Sequence, residues 1–179
     1  TTRPIVINRV PETSEIEVAS TPSIRFTVVD FNAAGLLAGA TTVTVTSSFG
    51  VELVWNGAAF DADWVAGSTF AAATSDGGGP ADEHRFTLVR TGSTFESEEI
   101  ITISVHAETN DGNATDTTYS FTIQDYLAPE LADVITAGLR ALRVTFDEAV
   151  VMGTNAPGDA LFVRPVSGGE FIPPADFIT

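Results

Sequence analysis

The chain has 179 residues, 24 acidic side chains against 8 basic ones, a formal net charge of -16 and no cysteine. That charge excludes docking on nucleic acid or anionic lipid through a basic patch, and the missing thiols exclude disulfides, thiol catalysis and cysteine-ligated zinc. An apolar fraction of 44% with only 18% charged residues is enough for a buried core, and no apolar run approaches the ~18 residues of a membrane span.

In chain order, Pro11 to Pro22 carries Glu12, Ser14, Glu15 and Glu17 and reads as a bridge between two strands, with a short strand over Ile16 to Val18. Ile24, Phe26 and Val28 then alternate with Arg25, Thr27 and Val29. Phe31 to Gly39 is too short and too glycine-broken for a stable helix, so a single turn is expected there. Thr42 to Thr46 alternates threonine with valine, and Val51 to Trp55 leads into Asn56-Gly57, a strong hairpin signal. Ser75 to Pro80 is a glycine-rich loop. Phe86 and Leu88 flank Thr87; Ile101, Ile103 and Val105 alternate with Thr102, Ser104 and His106. Asn110-Asp111-Gly112-Asn113 reads as the turn into Tyr119, Phe121 and Ile123. Period-two alternation buries one face of each strand and wets the other, and threonine suits the wet face because it is β-branched yet polar. The chain is therefore expected to be all-β, with roughly seven to nine strands in a two-sheet antiparallel sandwich.

Alternation stops at Gln124 to Pro129 and resumes at Leu131. The predicted division is a sandwich over residues 1–127 and a second unit over 128–179. The second unit has strands over Val134 to Thr136, Ala141 to Phe146 and Leu161 to Val166, then a proline-limited tail. Some fifty residues are too few to close a sandwich alone. The second unit is thus read as a partial domain, either truncated, which is the preferred reading, or completed by another chain.

The stretch Glu99 to Asn113, followed by Tyr119-Ser120-Phe121-Thr122-Ile123-Gln124-Asp125, resembles the last strand pair of bacterial immunoglobulin-like domains. Val28 to Leu36 and Thr42 to Val45 resemble the same family's aspartate–glycine loop and following strand. Leu139 to Val150, with Val144-Thr145-Phe146-Asp147-Glu148, is similar to the opening of a second immunoglobulin-like or fibronectin-III-like module. The resemblance implies tandem immunoglobulin-like (cadherin-like, fibronectin-III-like) domains of the kind found in tailed-phage virion proteins, adhesins and S-layer proteins.

Three kinds of site are weighed. Asp30, Asn32, Glu108, Asp111, Asn113, Asp116 and Asp125 are oxygen donors near predicted strand ends. Calcium takes six to eight such ligands, and cadherin-like relatives use acidic residues at domain junctions, where Asp125 falls. The competing account is that turns demand these residue types, and no metal site is assigned. For catalysis, the two histidines, His84 and His106, come without a Gly-x-Ser-x-Gly elbow or a His-Glu-x-x-His pair, so no catalytic residue is assigned and no enzyme is expected. Trp55 and Trp64 flank the Asn56-Gly57 turn and could stack on a sugar, although burial of at least one in the core is the stronger expectation.

The expected role is a non-enzymatic structural or interaction module without a resident cofactor, on a virion surface or otherwise extracellular. The setting the resemblance favours is a tailed bacteriophage particle, as a capsid decoration, fibre or tail component. Its partners would be protein subunits of the same assembly, including copies of itself, with a host-surface glycan as a further contact. The alternative is a carbohydrate-binding or adhesion module of a bacterial surface or secreted protein.

Overall fold

The threonine–aliphatic alternation folds as strands throughout a computed structural model, which describes residues 3–32, 34–74, 80–136 and 142–147. The chain divides into two compact units, Thr1–Tyr126 and Leu127–Thr179.

The first unit contains β1 (Ile5–Val10), β2 (Ile24–Val29), β3 (Thr42–Ser47), β4 (Gly50–Trp55), β5 (Thr69–Ala73), β6 (Glu83–Leu88), β7 (Ile100–Glu108) and β8 (Ala114–Thr122). They form two four-stranded antiparallel sheets, ordered β1-β2-β6-β5 and β4-β3-β7-β8. Lettered from A in chain order, with β4 as C′, this is A-B-E-D facing C′-C-F-G, the strand order of an immunoglobulin-like sandwich. The one helical element among the described residues is a 3-10 turn at Ala38–Ala40, in the segment where a single turn was expected.

Alternation places one residue set inside. Phe26 and Val28 of β2, Val43 and Val45 of β3, Phe86 and Leu88 of β6, Ile101, Ile103 and Val105 of β7, and Tyr119 and Phe121 of β8 are all buried. Each large apolar side chain removed from water contributes about 1.5–3 kcal/mol. Aromatic rings join the two layers. Phe26 stacks on Phe86 at 5.0 Å, Trp55 of β4 stacks on Phe70 of β5 at 4.7 Å, and Trp55 meets Phe86 edge-on at 6.0 Å.

An ionic clamp crosses beside them. Arg90, just after β6, sends Nη2 to the Glu52 carboxylate of β4 at 3.2 Å and lies 3.7 Å from Asp63. Its guanidinium sits over the Phe49 ring at 3.8 Å, and the side chain is only 7% exposed. Buried charge of this kind is tolerable because the Glu52 carboxylate and the ring face both receive it.

The bridge between β1 and β2 does more than connect. Val18 pairs in parallel with Ile123, and the main-chain bonds Ser14 N to Ser120 O, Thr122 N to Glu15 O and Val18 N to Thr122 O run it alongside β8. The free edge of β8 is thereby covered, as an exposed edge strand generally must be. The predicted strand over Ile16 to Val18 is this segment, reduced to one bridge, with Ile16 67% exposed.

In the second unit β9 (Leu131–Thr136) and β10 (Leu142–Phe146) form an antiparallel hairpin, and Asp147 accepts from the amide of Glu130 at 2.8 Å. The strand expected over Leu161 to Val166 and the proline-limited tail lie outside the described residues, as does most of the Ser75 to Pro80 loop.

Candidate functional site

The oxygen donors singled out above fall in the loop after β2, in and beside the β7–β8 turn, and beyond the far end of β8. Asp30 closes β2 and is 2% exposed. Its Oδ1 accepts the amide of Asn32 at 3.0 Å and its Oδ2 the amide of Gly35 at 3.1 Å. Gly35 has φ +73, and a Cβ there would stand 2.7 Å from Cβ of Pro80, so the loop that Asp30 holds tolerates only glycine at that point. This loop is laced to the β7–β8 turn: Asn110 N donates to Gly35 O at 2.9 Å, and its side-chain amide donates to Ala34 O at 2.8 Å.

In that turn Asp111 accepts from the Thr109 hydroxyl and from the Asn113 amide. Those two hydrogen bonds, Thr109 first, hold its carboxyl below the usual range. Glu108 is the last residue of β7, and its carbonyl accepts from Leu37 N at 2.8 Å. Asp116 pairs with His106 Nδ1 at 2.8 Å on the outer face of the sheet. Asp125 lies beyond the far end of β8, where it accepts from the Ser97 hydroxyl at 2.7 Å. Nine residues of β8 at ~3.4 Å each separate it from Asp111 by about 30 Å. Asp30, Asp111 and Asp125 therefore do not converge, and among the described residues no three His, Asp or Glu side chains gather closely enough to hold a metal ion. Each carboxylate instead satisfies amides and hydroxyls that a turn would otherwise strand.

Both tryptophans are buried, which meets the stronger expectation and removes the sugar platform. Trp55 is 6% exposed and Trp64 0%. Trp55 packs among Phe60, Phe70 and Phe86, and Trp64 lies against Phe95 at 6.4 Å. Neither indole offers a face to a sugar. The physical reason is area: a β-sandwich of this size buries its largest rings, and the Asn56-Gly57 turn folds the chain back so that Phe60 bridges Trp55.

Sequence reasoning missed the burial of His84. It sits in β6 in phase with Phe86 and Leu88 and has no exposed surface. Its Nδ1 lies 3.0 Å from the hydroxyl of buried Thr41, which also reaches Leu37 O at 3.4 Å. A proton on Nδ1 lets both hydrogens of this pair find an acceptor. Phe70 packs edge-on against the ring at 5.2 Å, and Nε2 has no partner among the described residues. Burial lowers the His84 pKa from 6.5 to about 4, so the ring is neutral near pH 7. The phase of residues 84, 86 and 88 was the available signal.

A second buried polar group is Tyr119, whose phenol is pushed up by burial and partly relieved by Arg9. The Arg9 guanidinium lies over its ring at 5.3 Å. Arg9 also lines an open cleft of about 540 Å³ with Val6, Ile7, Asn8, Glu12 and Thr13.

The first unit thus defines a class, the two-sheet immunoglobulin-like sandwich. No family model and no curated protein matches the chain. Among solved structures it is similar to CopC from Methylosinus trichosporium OB3b, at 13% identity and TM-score 0.42, over 70% of this chain and 98% of CopC. It is also similar to dimeric latent PorU from Porphyromonas gingivalis, at 18% identity and TM-score 0.46, over 82% of this chain and 13% of PorU. Likenesses at these values carry no statement about activity. Among the described residues no helix is long and apolar enough to cross a membrane.

Two outcomes follow from this geometry. Because Asp30, Asp111 and Asp125 are fastened to separate turns, the melting temperature should be the same with excess calcium and with chelator; a chelator-sensitive transition would mean that ligands converge after all. For His84, the unfolded ring takes up a proton as pH falls through 6.5, while the folded ring resists until about 4. The stability it contributes is therefore complete above pH 6.5 and declines by about 3 kcal/mol toward pH 4. Urea unfolding across that window should show His84→Leu losing less stability than the parent chain, by roughly that amount. Parallel pH profiles would contradict the assignment.

Proposed function

We propose that this chain is a non-enzymatic structural and interaction module, and that its setting is the outside of a tailed bacteriophage particle, as a capsid decoration, fibre or tail component. One observation carries the reading. The carboxylates that look most like ligands in the sequence hold turns instead, Asp30 on Asn32 and Gly35 and Asp111 on Thr109 and Asn113, and His84 is sealed in the core. What remains is a rigid body with broad hydroxyl-bearing strand faces, suited to spacing and contact. The acidic surface, net -16, opposes indiscriminate aggregation of a densely displayed protein. The motif resemblance to tandem immunoglobulin-like modules supports the virion setting, with subunits of the same assembly as partners.

The second reading, an adhesion module of a bacterial surface or secreted protein, has one observation in its favour. Phe31 is 69% exposed at the loop end of the sandwich, beside the Asp30 turn. The tryptophans no longer contribute to it. Immunogold labelling with antibody to the first unit separates the two. The virion reading expects gold on intact tailed particles purified from the producing culture; label confined to the cell envelope would overturn it in favour of adhesion.

A further inference from the structure

The sheet β4-β3-β7-β8 has an outer face unlike the rest of this acidic protein. Register lines up two rows of hydroxyls across three strands: Thr44 with Ser104 and Thr118, and Thr46 with Thr102 and Ser120. Leu53 and Val51 of β4 extend the same rows, and they are 52% and 74% exposed. No charged residue falls within these rows. Carboxylates stand around them: Asp116, tied to His106, one step beyond at one end, Glu99 on the amide of Ser48 at the other, and Glu15 and Glu17 on the segment beside β8. The outer face of the other sheet differs, since Arg25 and Arg85 stand on it at adjacent positions, Arg25 opposite Thr87 and Arg85 opposite Thr27. Both edges of β4-β3-β7-β8 are also partly closed. β8 is flanked by the Ser14–Val18 segment, and the end of β4 is capped where Asp61 N donates to Val54 O and Phe60 bridges Trp55.

We propose that this uncharged face docks face to face on the same face of a second copy of the chain. Three physical arguments select a second copy. A serine or threonine hydroxyl both donates and accepts, so a hydroxyl face is complementary to itself under a two-fold rotation, whereas an array of fixed donors or fixed acceptors is not. Two molecules of net charge -16 repel through most of their surface, and this face brings together aliphatic and hydroxyl groups with no opposed carboxylates at its centre. The exposed Val51 and Leu53 supply apolar area at one side of each patch, and a two-fold axis running across the strands sets them over their counterparts in the partner copy while hydroxyls meet hydroxyls. Four strands ~4.8 Å apart and about 20 Å of strand length give roughly 400 Å² per copy, which belongs to the weak, transient class of interface. Such a contact gains strength when many copies are displayed together. The inference deepens the reading of the protein as an assembly module, and it does not depend on which particle or surface carries it.

The experiment is a dilution series of the full chain, followed by sedimentation and by amide chemical shifts. The weight-average mass should rise toward twice the monomer value as concentration approaches about 1 mM. The shifts that move should be those of Thr44, Thr46, Thr102, Ser104 and Thr118. Added salt, by screening the surrounding carboxylates, should strengthen the association. The double variant Thr44→Glu/Thr102→Glu, at solvent-facing positions, should remain monomeric at every concentration while keeping the parent chain's circular dichroism. A chain that stays monomeric at about 1 mM in about 0.5 M salt overturns the proposal. So do shifts confined to the Arg25–Arg85 face, or an association that salt weakens, which would mark a charged contact instead. Failure here with gold still on the particle would remove self-docking and leave the virion reading standing.

Discussion

Trp55 leaves the sheet to which β4 belongs and lies among Phe70 and Phe86 of the opposite sheet, with Phe26 stacked behind them. The rest of the first unit depends on that crossing layer of rings. A strand pair alone is marginal in water, and a four-stranded sheet with one bare apolar face is no better; only the second sheet removes that face from solvent. The rings make the fit specific as well as dry, because stacked and edge-on contacts fix the offset of the sheets. Arg90 then ties the rim, reaching from the end of β6 to Glu52 on β4.

Once the core is fixed, the ends of the sandwich follow from hydrogen-bond satisfaction. The loop after β2 must turn without exposing stranded amides, and Asp30, itself buried, supplies the acceptors. The β7–β8 turn uses Thr109, Asp111 and Asn113 in the same manner. At the opposite end Tyr126 donates its hydroxyl to Phe95 O at 2.7 Å, and its amide donates to Ser97 Oγ. The chain therefore leaves the first unit from a fastened position. Acidic residues at strand ends look like ligands in a sequence because the same chemistry, oxygen atoms that accept, serves a turn and a cation alike.

Much of this architecture was legible. Strands β2, β3, β7 and β10 announce themselves through alternation, and the β7–β8 turn through Asn-Asp-Gly-Asn. β5 does not, because Thr69-Phe70-Ala71-Ala72-Ala73 carries three alanines, and alanine has no strand preference; its pairing with β6 makes it a strand. β8 begins at Ala114, five residues before its first buried aromatic, because Thr115 to Thr118 lacks the aliphatics that mark a strand. The Asn56-Gly57 signal was sound as a turn but gave one bridge in place of a hairpin. At the sites, pattern identified residue types and not their surroundings. It could not tell that both indoles point inward, or that His84 shares the inward phase of Phe86 and Leu88.

Both tryptophans are thus closed to solvent, Trp55 in the layer of rings that joins the sheets and Trp64 in the core against Phe95. Iodide quenching of the intrinsic fluorescence tests this most directly, since Trp55 and Trp64 are the chain's two tryptophans. Iodide should hardly quench the native emission and should quench it strongly after unfolding in urea. Native quenching close to the unfolded value would mean that an indole stands in water, and the crossing layer described here would be wrong.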